Sequence, residues 1–161
     1  MNIATPERTS PKDVFLHLLA IIALYVAAGS FVTLLFQYIN IFFPDPIVDH
    51  YYSLQSAYST IRWVISTLII VFPVYILTSW FLNKGYLANP SKRNLRIRKW
   101  LIYFTLFVAA LIITGDLVTL IYNLLGGELT IRFFLKILAV LATAGSVFFY
   151  YFWDVRQYKI E

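Results

Sequence analysis

Residues 111–138, "LIITGDLVTLIYNLLGGELTIRFFLKIL", decide the fold. The stretch is apolar enough to hold parts of two membrane spans, yet it carries Asp116, Arg132 and Lys136. Gly126-Gly127 interrupts it, and a glycine pair between two apolar runs predicts a tight turn. The segment therefore reads as a helical hairpin, with helix 3 over about 98–125 and helix 4 over about 130–153.

Two more runs reach the roughly 20 apolar residues that a helix needs to cross the hydrocarbon core. Helix 1 is expected over about 14–43, after the capping residues Ser10 and Asp13 with Pro11 in its first turn, and it stops before Pro44. Helix 2 is expected over about 58–82, with Pro73 inside. A basic connection, 83–99, separates it from helix 3. The expectation is an all-α membrane protein: one domain, a four-transmembrane-helix antiparallel bundle. Composition agrees. Of 161 residues 60% are hydrophobic and 13% charged, about half the charged share of soluble domains.

Ten of the thirteen basic residues fall on one side of such a bundle. Arg8 and Lys12 precede helix 1, and Arg156 and Lys159 end the chain. Lys84, Lys92, Arg93, Arg96, Arg98 and Lys99 lie in or beside the 83–99 connection. The other connections hold acids and no Lys or Arg. The positive-inside rule then places both termini in the cytoplasm. Trp80, Trp100 and Trp153 fall at that boundary and Trp63 at the other, as aromatic belts do. The polar start of the chain and the length of the first apolar run argue against a cleaved signal peptide. Basic residues beside a membrane attract anionic head groups, so those six in the connection are the expected lipid contacts. Nucleic acid is not an expected partner, since aromatic interleaving is sparse. A homo-oligomer or a protein partner stays open.

Cysteine is absent and only His17 and His50 could supply imidazole, so no metal and no cofactor is expected. No nucleophile elbow, phosphate loop or carboxylate pair is present, and the protein reads as non-enzymatic.

The intramembrane charges are the candidate site. Folding at Gly126-Gly127 puts residues at one level when their numbers sum to about 253, which sets Lys136 beside Asp116. At about 1.5 Å per residue, Asp116 lies on the order of 10 Å below the outer helix end. A carboxylate at that depth needs a partner or a proton. Lys136 is the first partner expected, and Arg62 on helix 2 the second. Helical spacing then groups Asp116, Thr119 and Asn123; Arg132, Lys136 and Thr143; Ser59, Arg62 and Ser66; and Ser30, Thr33, Gln37 and Asn40. Polar groups facing lipid are unsatisfied, so the stripes are expected to converge on a cation-rich pocket in the outer half of the membrane. Its ligand-binding residues are Arg62, Ser66, Asp116, Thr119, Asn123, Arg132 and Lys136, and its occupant a small anion or a lipid head group, bound or transported. The alternative is a structural or accessory subunit whose charges lock the bundle. Either way, Asp116→Ala is expected to destabilise more than Lys136→Ala or Arg62→Ala.

The stretches "DVFLHLLAIIALYV" (13–26), "IRWVISTLIIVFPVYILTSW" (61–80), "RIRKWLIYFTLF" (96–107) and "GDLVTLIYNLLGGELTIRFFLK" (115–136) carry a resemblance over about residues 8–157. The chain resembles a family of small uncharacterised bacterial membrane proteins, a domain of unknown function. That resemblance implies four membrane helices and a bacterial plasma membrane. It implies no catalytic residues.

Overall fold

The computed structural model describes residues 9–44, 50–127 and 129–158. Among them are four long α-helices, α1 (Pro11–Phe42), α2 (His50–Ala88), α3 (Arg96–Gly126) and α4 (Ile131–Tyr158). A short 3-10 turn, Pro90–Asn94, links α2 to α3. All four helices are long and apolar enough to cross a membrane. We call the end carrying the start of α1 and the 3-10 turn the basic end, and the other the hairpin end.

The local chemistry of the ends explains the boundaries. At Ser10 a capping box forms: Asp13 N–H donates to Ser10 Oγ at 3.2 Å, and Ser10 N–H donates back to the Asp13 carboxylate at 3.3 Å. Gly127 ends α3 at φ 71°, the left-handed conformation that glycine adopts without strain, and its N–H closes on the last carbonyls of the helix. The helices exceed their apolar cores. α2 starts eight residues before and ends six residues after the expected 58–82, so much of the 83–99 connection is helix. Hydropathy marks the stretch that suits lipid. A helix continues past it as long as nothing stops it, and here Pro90 does.

Packing follows membrane logic. The exterior is apolar: Ile69, Phe107 and Phe149 are each more than half exposed, and so are all four tryptophans. The interior favours small residues, with Ala20, Ala23, Ala27, Ala57, Ala109 and Ala139 buried. Small side chains let helix backbones approach closely where lipid supplies no hydrophobic drive for association. A cluster of Ile21, Leu101, Ile102 and Tyr151 forms the core of the basic half.

The helix order is not a sequential ring. α1 packs along α2, α3 along α4, and α1 also meets α4 and, more lightly, α3. Among the described residues α2 has no backbone approach to α3 or α4. α1 is therefore the central helix, with α2 on one flank and the α3–α4 hairpin on the other. Polar contacts pin this order. Arg132 Nε and one terminal nitrogen donate to Asn40 Oδ1 at 3.1 and 2.9 Å, joining α4 to α1 at the hairpin end. Thr105, 1% exposed, donates to its own Leu101 carbonyl at 2.8 Å. Its single proton is thus committed, so Tyr25 is the donor in the 2.9 Å Tyr25–Thr105 bond that joins α1 to α3.

Candidate functional site

The outer-half stripes do not converge. Arg62 is exposed on α2, away from α3. Ser66 donates to the Arg62 carbonyl, Thr119 to Gly115 and Asn123 to Thr119, each bending back onto its own helix at 2.8 to 2.9 Å. That local bond is the reason: a Ser, Thr or Asn four residues past a carbonyl satisfies itself, so polarity in a span does not by itself demand a neighbour. Lys136 does not pair with Asp116. Its ammonium lies 5.4 Å over the Phe36 ring, while Arg132 turns to Asn40. Asp116 Oδ2 is buried with no hydrogen-bond partner. Neither of the two cavities described below is lined by any of these seven residues.

The polar convergence lies at the basic end. α1 starts it. His17 sits one turn after Asp13, and its Nδ1 is 2.6 Å from the Asp13 carbonyl. A carbonyl only accepts, so Nδ1 carries the proton, and in the neutral ring Nε2 is the acceptor. Tyr86 of α2 therefore donates its O–H to His17 Nε2, at 2.7 Å. The Arg98 guanidinium stacks over the Tyr86 ring at 5.2 Å. Arg98 stands in the first turn of α3 and is only 7% exposed. It donates to the Arg93 carbonyl at 3.1 Å and to Asp154 Oδ2 of α4 at 2.6 Å. The second ion pair ties the 3-10 turn to α1: Lys92 Nζ lies 3.3 Å from Asp13 Oδ1. Every element thus enters one network.

This network borders a cavity of about 450 Å³ between α2 and the α3–α4 hairpin, with α1 as its back wall. Tyr75, Ser79, Asn83 and Tyr86 face it from α2, four or three residues apart and so on one side of that helix. Arg93, Arg98, Tyr150, Tyr151 and Asp154 complete its polar lining. The hydroxyl of Tyr151 meets that of Tyr75, bridging the flanks that have no backbone contact. Its charged lining is two guanidiniums against one carboxylate, an excess of one positive charge in a partly dehydrated space. An arginine offers five N–H donors in a planar fork, more than the Arg93 carbonyl and Asp154 occupy. Chemically the cleft suits an oxyanion held by guanidinium and phenol donors. No metal-ligating cluster occurs among the described residues.

The head-group expectation changes for one of the six basic residues. Arg98 is withdrawn into the network, whereas Lys92, shared with Asp13, keeps a side chain 36% exposed. Lys84 leans over Trp80 at 5.3 Å, and Arg93 lies 5.7 Å over Tyr86. Arg8, Glu128 and Lys159 lie outside the described residues. The sequence held one usable signal for the missed pair. Arg98 and Asp154 obey the same fold-line rule that levels Asp116 with residue 137, and Asp154 shares a helix face with Lys136, Thr143 and Tyr150. Position at a span end disguised them, since charges there read as orientation signals.

A family model described as Domain of unknown function (DUF5671) matches residues 13–151, most of the chain. No curated protein and no solved structure matches. The matched span holds the capping Asp13, His17, Tyr86, Arg98 and Tyr151, and stops three residues before Asp154. On that match the chain belongs to the DUF5671 family.

Proposed function

We propose that this member of the DUF5671 family is a non-enzymatic, multi-pass protein of a bacterial plasma membrane, binding a small oxyanion or a lipid head group in the basic-end cleft. The observation that carries the reading is Arg98: a nearly buried guanidinium at the wall of a 450 Å³ cleft, beside Arg93 and four tyrosines. A buried cation with more donors than partners favours an anion. The outer-half residues serve this reading less well, because Ser66, Thr119 and Asn123 bond back onto their own helices and Lys136 lies over Phe36 rather than beside Asp116.

Glycerol phosphate, a head group without acyl chains, is the probe. It is expected to raise the melting temperature of the purified protein in detergent. The rise should vanish in Arg93→Gln, which leaves the Arg98–Asp154 pair in place. A parent protein whose melting ignores the probe, or an Arg93→Gln variant that responds as the parent does, sinks the reading.

The basic end is assigned to the cytoplasm. Support comes from the segregation of Lys and Arg and from Trp80, Trp100 and Trp153 near that end. Cysteines placed at positions 48 and 94 report it. An impermeant reagent on intact cells is expected to label 48 and spare 94, and the reverse pattern overturns the orientation.

A second reading has its own observation. The 2.6 Å Arg98–Asp154 pair joins α3 to α4 and needs no ligand. In that case the protein is an accessory subunit whose charges lock the bundle, and glycerol phosphate leaves its melting unchanged.

A further inference from the structure

We propose a second anion site, separate from the cleft, in which an anionic phospholipid docks at the corner where α1, α2 and the 3-10 turn meet. A cavity of about 380 Å³ occupies this corner. His17 and Tyr86 line both it and the cleft, so their hydrogen-bonded pair is the wall between the two. The corner brings together what a phospholipid presents in sequence, charge and then hydrocarbon. Lys12 and Lys92 supply two ammonium groups. Leu16, Phe81, Leu82 and Leu95 supply apolar wall, and Phe81 is more than half exposed at it.

The single acid in the lining, Asp13, is already engaged. Its carboxylate accepts from Ser10 N–H, Ser10 O–H and Lys92 Nζ, at 3.3, 2.8 and 3.3 Å. Two cations against this one anion leave a positive excess. Lys92 is held in place rather than neutralised. An ammonium has three donors, Asp13 takes one, and the side chain remains 36% exposed. The 3-10 turn that carries it is itself capped, with Asn89 Oδ1 accepting from Ser91 N–H at 3.3 Å. A lysine pre-placed by an acid and a capped turn loses less entropy on meeting a phosphate than a free one.

Gly85 tests the cavity directly. It lines the corner and not the cleft, and a Cβ built on it meets nothing within 4 Å. A larger side chain there enters open space and fills the site while leaving the helix packing intact. The occupant is a lipid rather than free phosphate, because four of the lining residues are bulky hydrocarbon at the end of apolar spans. Basic residues beside anionic lipid contribute about 1 kcal/mol each, so one lysine is worth about fivefold in occupancy.

The experiment reconstitutes the protein in vesicles of phosphatidylglycerol and phosphatidylcholine, extracts it, and follows bound lipid by native mass spectrometry during stepwise delipidation. The parent is expected to retain phosphatidylglycerol. Lys12→Gln should lower the retained fraction about fivefold, and Gly85→Leu should abolish retention without lowering the melting temperature. Arg93→Gln, in the cleft, should retain lipid as the parent does. Equal retention in Gly85→Leu and the parent overturns the site, as does loss in Arg93→Gln alone, which would move the lipid to the cleft. Phosphatidylcholine held as well as phosphatidylglycerol, or free inorganic phosphate displacing the lipid, overturns it too. These outcomes are independent of glycerol phosphate binding in the cleft, so either site can fail alone.

Discussion

Asp154→Ala is expected to cost about 3–5 kcal/mol of stability, the usual result of stripping one partner from a buried ion pair. Arg98 is 7% exposed and is fixed by three elements: its own helix, the Arg93 carbonyl and the ring of Tyr86. Without Asp154 it cannot follow its charge into water without unstacking from Tyr86. For a chain of this size each kcal/mol moves the melting temperature by about 2–4 °C, so the shift is on the order of 10 °C. The control is the double variant Arg98→Leu, Asp154→Leu. Replacing both members with apolar groups removes the unmatched charge, and buried pairs exchanged in this way are often neutral or better. The double variant should recover most of the loss. Melting in detergent and in nanodiscs reads both. A single Asp154→Ala variant that melts with the parent means that the pair is open to solvent and locks nothing.

Asp116→Ala is expected to leave the melting temperature unchanged or raised, by the equivalent of up to about 1–3 kcal/mol, the cost of an unsatisfied buried polar atom. The sign is opposite to the one that the sequence suggests. Read along the chain, Asp116 is the one anion at its depth, beside Lys136, and its removal strands cations. In the fold Lys136 sits over Phe36, Arg132 is bonded to Asn40, and Arg62 is on the flank away from α3. The carboxylate is in neither of the ion pairs described, and Oδ2 is buried without a partner. Asp116→Asn, which keeps size and polarity but loses the charge, should fall between Ala and the parent. A drop of several degrees in Asp116→Ala would establish a partner for it and return the outer half as the site.

Much of the fold is legible along the chain because its causes are local. A run of apolar residues is a span wherever it lies, since hydrocarbon demands satisfied backbone and a helix provides it. The capping box at Ser10 and Asp13 and the left-handed Gly127 are readable for the same reason: each involves residues within a turn of one another. The segregation of Lys and Arg to one end is likewise a property of the chain. What the chain does not carry is which helix stands beside which. The polar stripes of α2 and α3 mark no inward face, since Ser66, Thr119 and Asn123 bond back onto their own helices, and lipid offers no hydrophobic force to choose one.

The central place of α1, and the separation of α2 from α3 although they are consecutive in sequence, come from packing. That choice rests on small residues that permit close approach and on contacts between residues far apart in sequence: His17 with Tyr86, Tyr25 with Thr105, Asn40 with Arg132, and Arg98 with Asp154. It also moved the site. Four apolar helices, a helical hairpin and a basic end are written along the chain. Which charges meet depended on the lateral order of the helices, and a one-dimensional pattern records depth along each helix but not who its neighbours are.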